Sequence, residues 1–197
     1  MPRIIRIASE DDAGDIAAIY APFCRETPVS FETEAPTVDE MRRRIAKTAK
    51  ALPWLVCDED GRVIGYAYAG QHRERAAYRW SVDVSVYVAE GHRRRGLGRA
   101  LYTSLLAILR LQGFHNALAG ATLPNPGSVA LHEGMGFEPV GTYRSIGFKC
   151  GAWHDVKWWQ FRLQGPEPSP AEPLDLKQAS ELPEWAAAIA AGETLVG

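Results

Sequence analysis

Residues 86–101 read VYVAEGHRRRGLGRAL, and the fold turns on how this stretch is understood. Its first residues belong to a strand rich in β-branched and aromatic side chains. Its last residues open the clearest helix of the chain, GLGRALYTSLLAILRLQGF (96–114), in which Leu101, Leu105, Ile108 and Leu109 form one apolar stripe and Gly113 stands where a helix can end. Between strand and helix lie Arg93, Arg94, Arg95, Gly96, Leu97, Gly98 and Arg99. Three consecutive arginines admit three readings: a nucleic-acid patch, a solvated charge run, or a collar around a phosphate. A helix N-terminus offers unpaired N–H groups and the positive end of the helix dipole. Glycines there let the backbone approach an anion and take positive φ, and guanidinium groups add charge at the rim. A dinucleotide fingerprint would need glycine where Leu101 stands, and a Walker loop would need Gly-Lys-Ser or Gly-Lys-Thr, which the sequence lacks. Taken alone, the residues fit a pyrophosphate cradle of neither kind and a merely charged loop equally well.

Working outward, RIIRIA (3–8) alternates as a first strand, and Ser9 with Asp12 makes a capping-box-like start to a helix over about 10–26. A proline-bounded loop carrying Phe31 and a second helix over VDEMRRRIAKTAK (38–50) follow. PWLVCDEDGRVIGYAYAG (53–70) reads as two strands around the Asp60-Gly61 turn, and YRWSVDVSVYVAEGH (78–92) as a longer strand. After the 96–114 helix come a strand at NALAGATL (116–123), a short capped helix in PNPGSVALHEGMGF (124–137), and closing strands in 138–147 and 154–163. The order β-α-α-β-β-β-α-β-α-β-β specifies an α/β (α+β) fold, a mixed sheet with helices on both faces. GPEPSPAEP (165–173) is too proline-rich for a helix or inner strand, so the boundary falls there: a globular domain over 1–164, then a linker and one short helix through ASELPEWAAAIAAG (179–192) within 165–197.

Composition narrows the function classes. The chain has 197 residues, 46% hydrophobic and 23% charged, enough for one packed domain. A net charge of −2 argues against a chain devoted to nucleic acid, and no apolar run suggests a membrane partner or a signal segment. Cys24, Cys57 and Cys150 show neither disulfide nor metal-ligand spacing, so reduced thiols, a cytoplasmic location and no metal are expected.

The stretch 86–101 resembles the acyl-CoA motif of the GNAT superfamily of N-acetyltransferases, (Gln/Arg)-x-x-Gly-x-(Gly/Ala), with Arg93, Gly96 and Gly98 in register. LPNPGSVALHEGMGF (123–137) resembles that family's second motif. VSFETEAPT, GYAYAG, AYRWSVDVSVYV, LPNPGSVALHE and GFKCGAWHDVKWWQ are similar to signatures of the phosphinothricin/methionine sulfoximine acetyltransferase subfamily, a resemblance spanning about 3–163 and excluding the tail. It implies a mixed, mostly antiparallel central sheet with splayed central strands, acetyl-CoA as co-substrate, a small amine as acceptor, and a homodimer.

Carried over residue by residue, the resemblance implies that the backbone of Val86, Tyr87 and Val88 pairs with the pantetheine arm. The amides of Arg94 to Arg99 hold the pyrophosphate, and Asn125 and Ser128 contact the cofactor. Val86 and Val88 are equally compatible with plain strand core. Asp83 stands where the subfamily usually has glutamate and is expected to act as base through a bridging water; on a strand it shares a face with Ser85, opposite Val84 and Val86. Pairing with a nearby arginine is the alternative for Asp83. His132 matches the subgroup as acid or relay, with simple packing as the alternative. For the acceptor pocket the expectation is Phe31 with Glu32, Arg73 or Arg75 clamping a carboxylate, and Tyr78 adding a hydrogen bond, although Arg-Glu-Arg also suits a solvated turn. His154 is expected to bond Asp155, and His72, His92 and His115 to lie at the surface. Side chains at Gly96 or Gly98 are expected to be excluded, and Arg94 and Arg95 to be replaceable. Rival functions are a peptide or protein N-terminal acetyltransferase, a non-catalytic acyl-CoA-binding module, and a nucleic-acid binder using 42–50 and 92–99. The last lacks the interleaved aromatics expected for single strands.

Overall fold

A computed structural model describes residues 3–196. Its strands are β1 (Arg3–Ile7), β2 (Trp54–Glu59), β3 (Arg62–Gln71), β4 (Ser81–Val88), β5 (Asn116–Thr122), β6 (Glu138–Lys149) and β7 (Ala152–Arg162). The α-helices are α1 (Ala13–Glu26), α2 (Val38–Thr48), α3 (Leu97–Leu111), α4 (Pro126–Gly134), α5 (Leu176–Ser180) and α6 (Trp185–Ala190). Local chemistry sets the boundaries. The Ser9–Asp12 capping box is present at the entry to α1, Asp60 and Gly61 take φ of 55° and 79° in the β2–β3 turn, and Gly113 at φ 90° follows α3.

One seven-stranded sheet runs in the order β1-β2-β3-β4-β5-β7-β6, every neighbour antiparallel except β4 and β5. That parallel pair is short. Register covers only Ser81↔Asn116, Val82↔Ala117 and Asp83↔Leu118, after which the strands part. β4 stays paired with β3 through Val88, and β5 stays paired with β7 from Asn116 to Thr122.

Helices cover both faces. α3 packs on Leu55, Ala67, Ala69, Val82 and Val84, with Leu101, Leu105, Ile108 and Leu109 fully buried, each worth roughly 1.5–3 kcal/mol. α1 and α2 cover the opposite face over Trp54, Val56 and Tyr66, beside stacked Tyr68 and Tyr87. Two sequence expectations shift. The last hairpin is tighter than expected because Cys150 and Gly151 form a two-residue turn at φ 51° and 75°, and the non-glycine residue hid that signal. The tail helix is split: Pro183 has no N–H to donate, and Ser180 ends α5 while Asp175 caps it.

The tail packs closely on α3. Gln112 Nε2 donates to Ala51 O at 2.8 Å and Leu174 O at 2.9 Å, and Leu174 N returns a bond to Gln112 O at 2.7 Å. Ser104 Oγ donates to Ile189 O at 2.6 Å and accepts from Gly192 N at 3.0 Å. Glu193 Oε1 takes the Ile5 amide at 2.9 Å, and Val196 is buried. A Cβ on Gly192 would lie 2.0 Å from Ala100 O, a backbone atom that cannot give way. Gly192→Ala is therefore expected to cost roughly 1–3 kcal/mol by overpacking, several degrees of Tm at this length. Truncation after Gln164 is expected to lower Tm further in the same thermal melt.

Candidate active site

The parted strands make the site. Ala89 N bonds Ile64 O, so the odd residues of β4 direct their backbone groups to β3 and the even ones face the side that β5 has left. On that side Val84 O accepts from Tyr102 Oη at 3.3 Å and Val88 O from Arg93 Nε at 3.4 Å, while Val86 has no strand opposite it. An amide-bearing chain entering the gap meets a ready-made strand edge there.

At the end of the gap stands the α3 N-terminus. Gly96 takes φ 80° as its N-cap, and Arg94 also lies in the left-handed region at φ 60°. The amides of Arg94 to Arg99 make no bond to the described residues; the first closing bond is Ala100 N to Gly96 O at 3.0 Å. Four arginines divide the work. Arg93 lies over the Phe23 ring at 5.0 Å, Arg99 Nη2 ties α3 to Gly134 O at 2.9 Å, and Arg94 and Arg95 are exposed with no partner among the described residues. A Cβ on Gly96 would meet Leu195 O at 3.2 Å on an unfavourable φ. Gly98 is less constrained than expected, because its nearest obstacle is the flexible end of Leu131 at 3.3 Å. Asn125 Oδ1 caps α4 by accepting from Ser128 N at 3.1 Å, which leaves its amide nitrogen for a ligand.

His132 is buried in a ring of aromatics, stacked on Trp159 with centroids 5.1 Å apart and edge-on to Phe137 at 5.2 Å. Its Nδ1 meets Ser128 O at 2.7 Å, which fixes the proton there and leaves Nε2 as acceptor, 3.3 Å from Tyr102 Oη. Burial holds its pKa below the ordinary histidine value. Packing and chemistry coincide: the one hydroxyl proton of buried Tyr102 lies between two acceptors, His132 Nε2 and Val84 O, each 3.3 Å away, where the gap opens.

Asp83 is the last β4 residue paired with β5 and lies opposite Gly70 of β3. Its Oδ1 is 2.7 Å from His72 Nδ1, and burial pushes its carboxyl above the usual range while His72 pulls the other way. His72 is thus no surface residue: its side chain is 13% exposed, set among Asp83, Tyr78 and Trp158. Sequence reading missed it because the register across the nine-residue β3–β4 loop, which decides its face, is not written locally. Tyr102 was missed because it sits within the apolar side of α3 and its hydroxyl alone marks it.

The β3–β4 loop brings His72, Arg73, Arg75 and Tyr78 around an open cleft of about 670 Å³. Phe31 and Glu32 are committed elsewhere. The Phe31 ring lies where a Cβ on Gly147 would be, 2.3 Å away, so it is braced on β6. Glu32 is bidentate to Arg44 at 2.8 and 3.1 Å and accepts from Tyr20 at 3.0 Å. Neither bonds to the β3–β4 loop among the described residues. Buried Lys149 crosses from β6 to the Ser30 and Glu32 carbonyls at 2.6 and 2.7 Å, pinning the same loop. His154 donates to Lys149 O at 2.9 Å instead of Asp155, whose carboxylate is taken by Arg144 and the Ser145 amide. No group of three potential metal ligands occurs among the described residues.

The acetyltransferase (GNAT) domain family matches residues 5–158. Phosphinothricin N-acetyltransferase of Streptomyces viridochromogenes is 41% identical over 88% of this chain and 95% of its own length. L-methionine sulfoximine/L-methionine sulfone acetyltransferase of Salmonella typhimurium is 35% identical over 81% and 94%. The crystal structure of a phosphinothricin acetyltransferase from Sinorhizobium meliloti in complex with acetyl-CoA superposes with a TM-score of 0.82 at 35% identity, covering 87% of this chain and 95% of that one.

His132 gives a pH test of the buried chain. A histidine whose folded pKa is depressed binds fewer protons folded than unfolded, so its contribution is intact above about pH 6.5 and is lost as pH falls below it. Thermal melts between pH 7 and 5 are expected to show a steep fall in Tm for the wild type and a shallower one for His132→Asn.

Proposed function

Because this chain belongs to the acetyltransferase (GNAT) domain family and is an N-acetyltransferase, we propose that it acetylates the amine of a small, carboxylate-bearing, amino-acid-like acceptor of the phosphinothricin, methionine sulfoximine or methionine sulfone type. The observation that carries this reading is the gap beyond Asp83 and Leu118, with the edge of Val86 facing it and the free amides of α3 at its end. Acetyl-CoA fits that arrangement: its pantetheine amides pair along Val86 to Val88, its pyrophosphate rests on the Arg94–Arg99 amides, and Asn125 and Ser128 flank the arm. The thioester then lies near Val84, Tyr102 and His132.

An acceptor ammonium has to lose a proton before it attacks. Asp83 is the proton acceptor, and its position at the mouth of the gap supports that role. The Tyr102–His132 chain supplies hydrogen-bond donation to the thioester end and a route for the proton that the departing thiolate takes up. Arg73, Arg75 and Tyr78, around the loop cleft, bind the acceptor carboxylate. Phe31 and Glu32 shape the pocket from the far side, through the bracing described above.

We further propose a homodimer in the cytoplasm, where three unpaired cysteines remain thiols. Support for the dimer comes from the edge strand β6 and its hairpin partner, on which Val140, Tyr143, Ile146, Phe148 and Trp153 are each more than half exposed.

A thiol-release assay with acetyl-CoA tests the substrate class. Turnover is expected on amino acids or on their sulfone, sulfoximine and phosphinate analogues. No turnover on any carboxylate-bearing amine overturns the reading, and preference for a peptide N-terminus replaces it with the peptide alternative. In the same assay Gly96→Ala is expected to raise the acetyl-CoA KM about tenfold, since a side chain at positive φ costs roughly 1–2 kcal/mol. Arg94→Ala and Arg95→Ala are expected to change it less than about threefold, as exposed charges do.

A further inference from the structure

Resting on the transferase reading above, we propose that His72 is the positioning residue of Asp83: it holds one carboxylate oxygen and keeps the group ionised, so that Oδ2 is the atom that takes the acceptor proton. Three observations carry this. His72 Nδ1 and Asp83 Oδ1 are 2.7 Å apart, a charge-assisted distance, and Oδ2 has no partner among the described residues. His72 follows Gly70 by two residues, and Gly70 is the register partner of Asp83, so the three share one face of the sheet. A Cβ on Gly70 would touch nothing within 4 Å, so the space beside the carboxylate is open to an amine or a bridging water. The imidazole itself is fixed by Tyr78 edge-on at 5.7 Å and Trp158 at 6.4 Å.

The device solves a particular difficulty. A carboxyl pushed up by burial is in danger of being neutral when it is needed as a base, and a donor on Oδ1 opposes that. The other groups bearing on Asp83 are few. Arg73 on the loop also favours the ionised form, Tyr68 on β3 is phenolic with its pKa raised by burial, and β7 presents neutral Trp158. Protons balance as follows. The ammonium gives one proton to Oδ2, directly or through water. The amine nitrogen forms its bond to the acetyl carbon as the carbon–sulfur bond breaks. The second nitrogen proton ends on the thiolate, and Oδ2 returns its own proton to solvent.

The test is the pH profile of kcat/KM for the acceptor. In His72→Ala the acidic limb is expected to move up by about one pH unit, with about tenfold lower kcat/KM below the limb, while the acetyl-CoA KM stays unchanged. His72→Asn, whose amide NH2 reaches the place of Nδ1–H, is expected to restore most of the limb. Against an Asp83→Asn background, His72→Ala is expected to cost nothing further. An unmoved limb, or equal losses from His72→Ala with and without Asp83, overturns the proposal. Imidazole NMR of the protein provides a readout free of turnover. A His72 titration and Nδ1–H signal identical in wild type and Asp83→Asn also overturn it. A wild type that acetylates no amine while His72 still responds to Asp83 refutes the substrate reading and leaves the pair standing.

Discussion

Everything in this molecule depends on the separation of β4 from β5. Two neighbouring strands normally keep pairing for as long as both last, because a lost ladder leaves amide groups without partners. Here pairing stops after three residues, and each strand is held by a different neighbour: β4 by β3 through Val88, β5 by β7 along its whole length. The forfeited bonds on the β4 side are partly replaced, at Val84 by the Tyr102 hydroxyl and at Val88 by Arg93, leaving Val86 free. A slot one strand wide is the result, and it suits a ligand built of consecutive amides.

The charges around the slot follow from the same geometry. Its far end is the N-terminus of α3, where free amides gather positive potential without any arginine having to point inward. Arg93 and Arg99 serve instead as ties to Phe23 and Gly134. At the near end burial acts on two titratable groups in the sense that favours the neutral form of each. It pushes Asp83 up and His132 down, and each has a neighbour that opposes the effect, the His72 imidazole at Asp83 and the Ser128 carbonyl at His132. His132 sits within an aromatic ring where burial favours its neutral form, whereas Asp83 carries a donor on Oδ1 that favours its ionised form.

The tail ties these parts to the rest of the chain. Its last turn brings Leu195 O beside Gly96 and the Gly192 backbone against Ala100, so the helix that carries the amides is clamped from behind by residues beyond the matched family region. Ser104, facing the tail from the middle of α3, donates to Ile189 O and accepts from Gly192 N. Its small hydroxyl inside an otherwise leucine-rich stripe is the trace this packing leaves in the sequence.

The sequence by itself determined the elements, the glycine-bearing turn at the head of α3 and the family likeness. Each is written locally: the leucine stripe of α3, the Asp60-Gly61 turn, the glycine at position 96, the two motifs in order. Asp83, His132 and Asn125 could be singled out in the sequence because each sits inside a local signature. Tertiary structure alone decided which groups meet. His72 looked like a surface residue because its face depends on hairpin register across a nine-residue loop. Tyr102 carries no local signature, because only the parting of the strands gives its hydroxyl a carbonyl to bond. The partners that hold Phe31 and Glu32 were hidden as well, because nothing near them in the chain announces Gly147 or Arg44. Short-range periodicity fixes which face of an element is apolar, while contacts between elements distant in the chain are set by packing that no local pattern encodes.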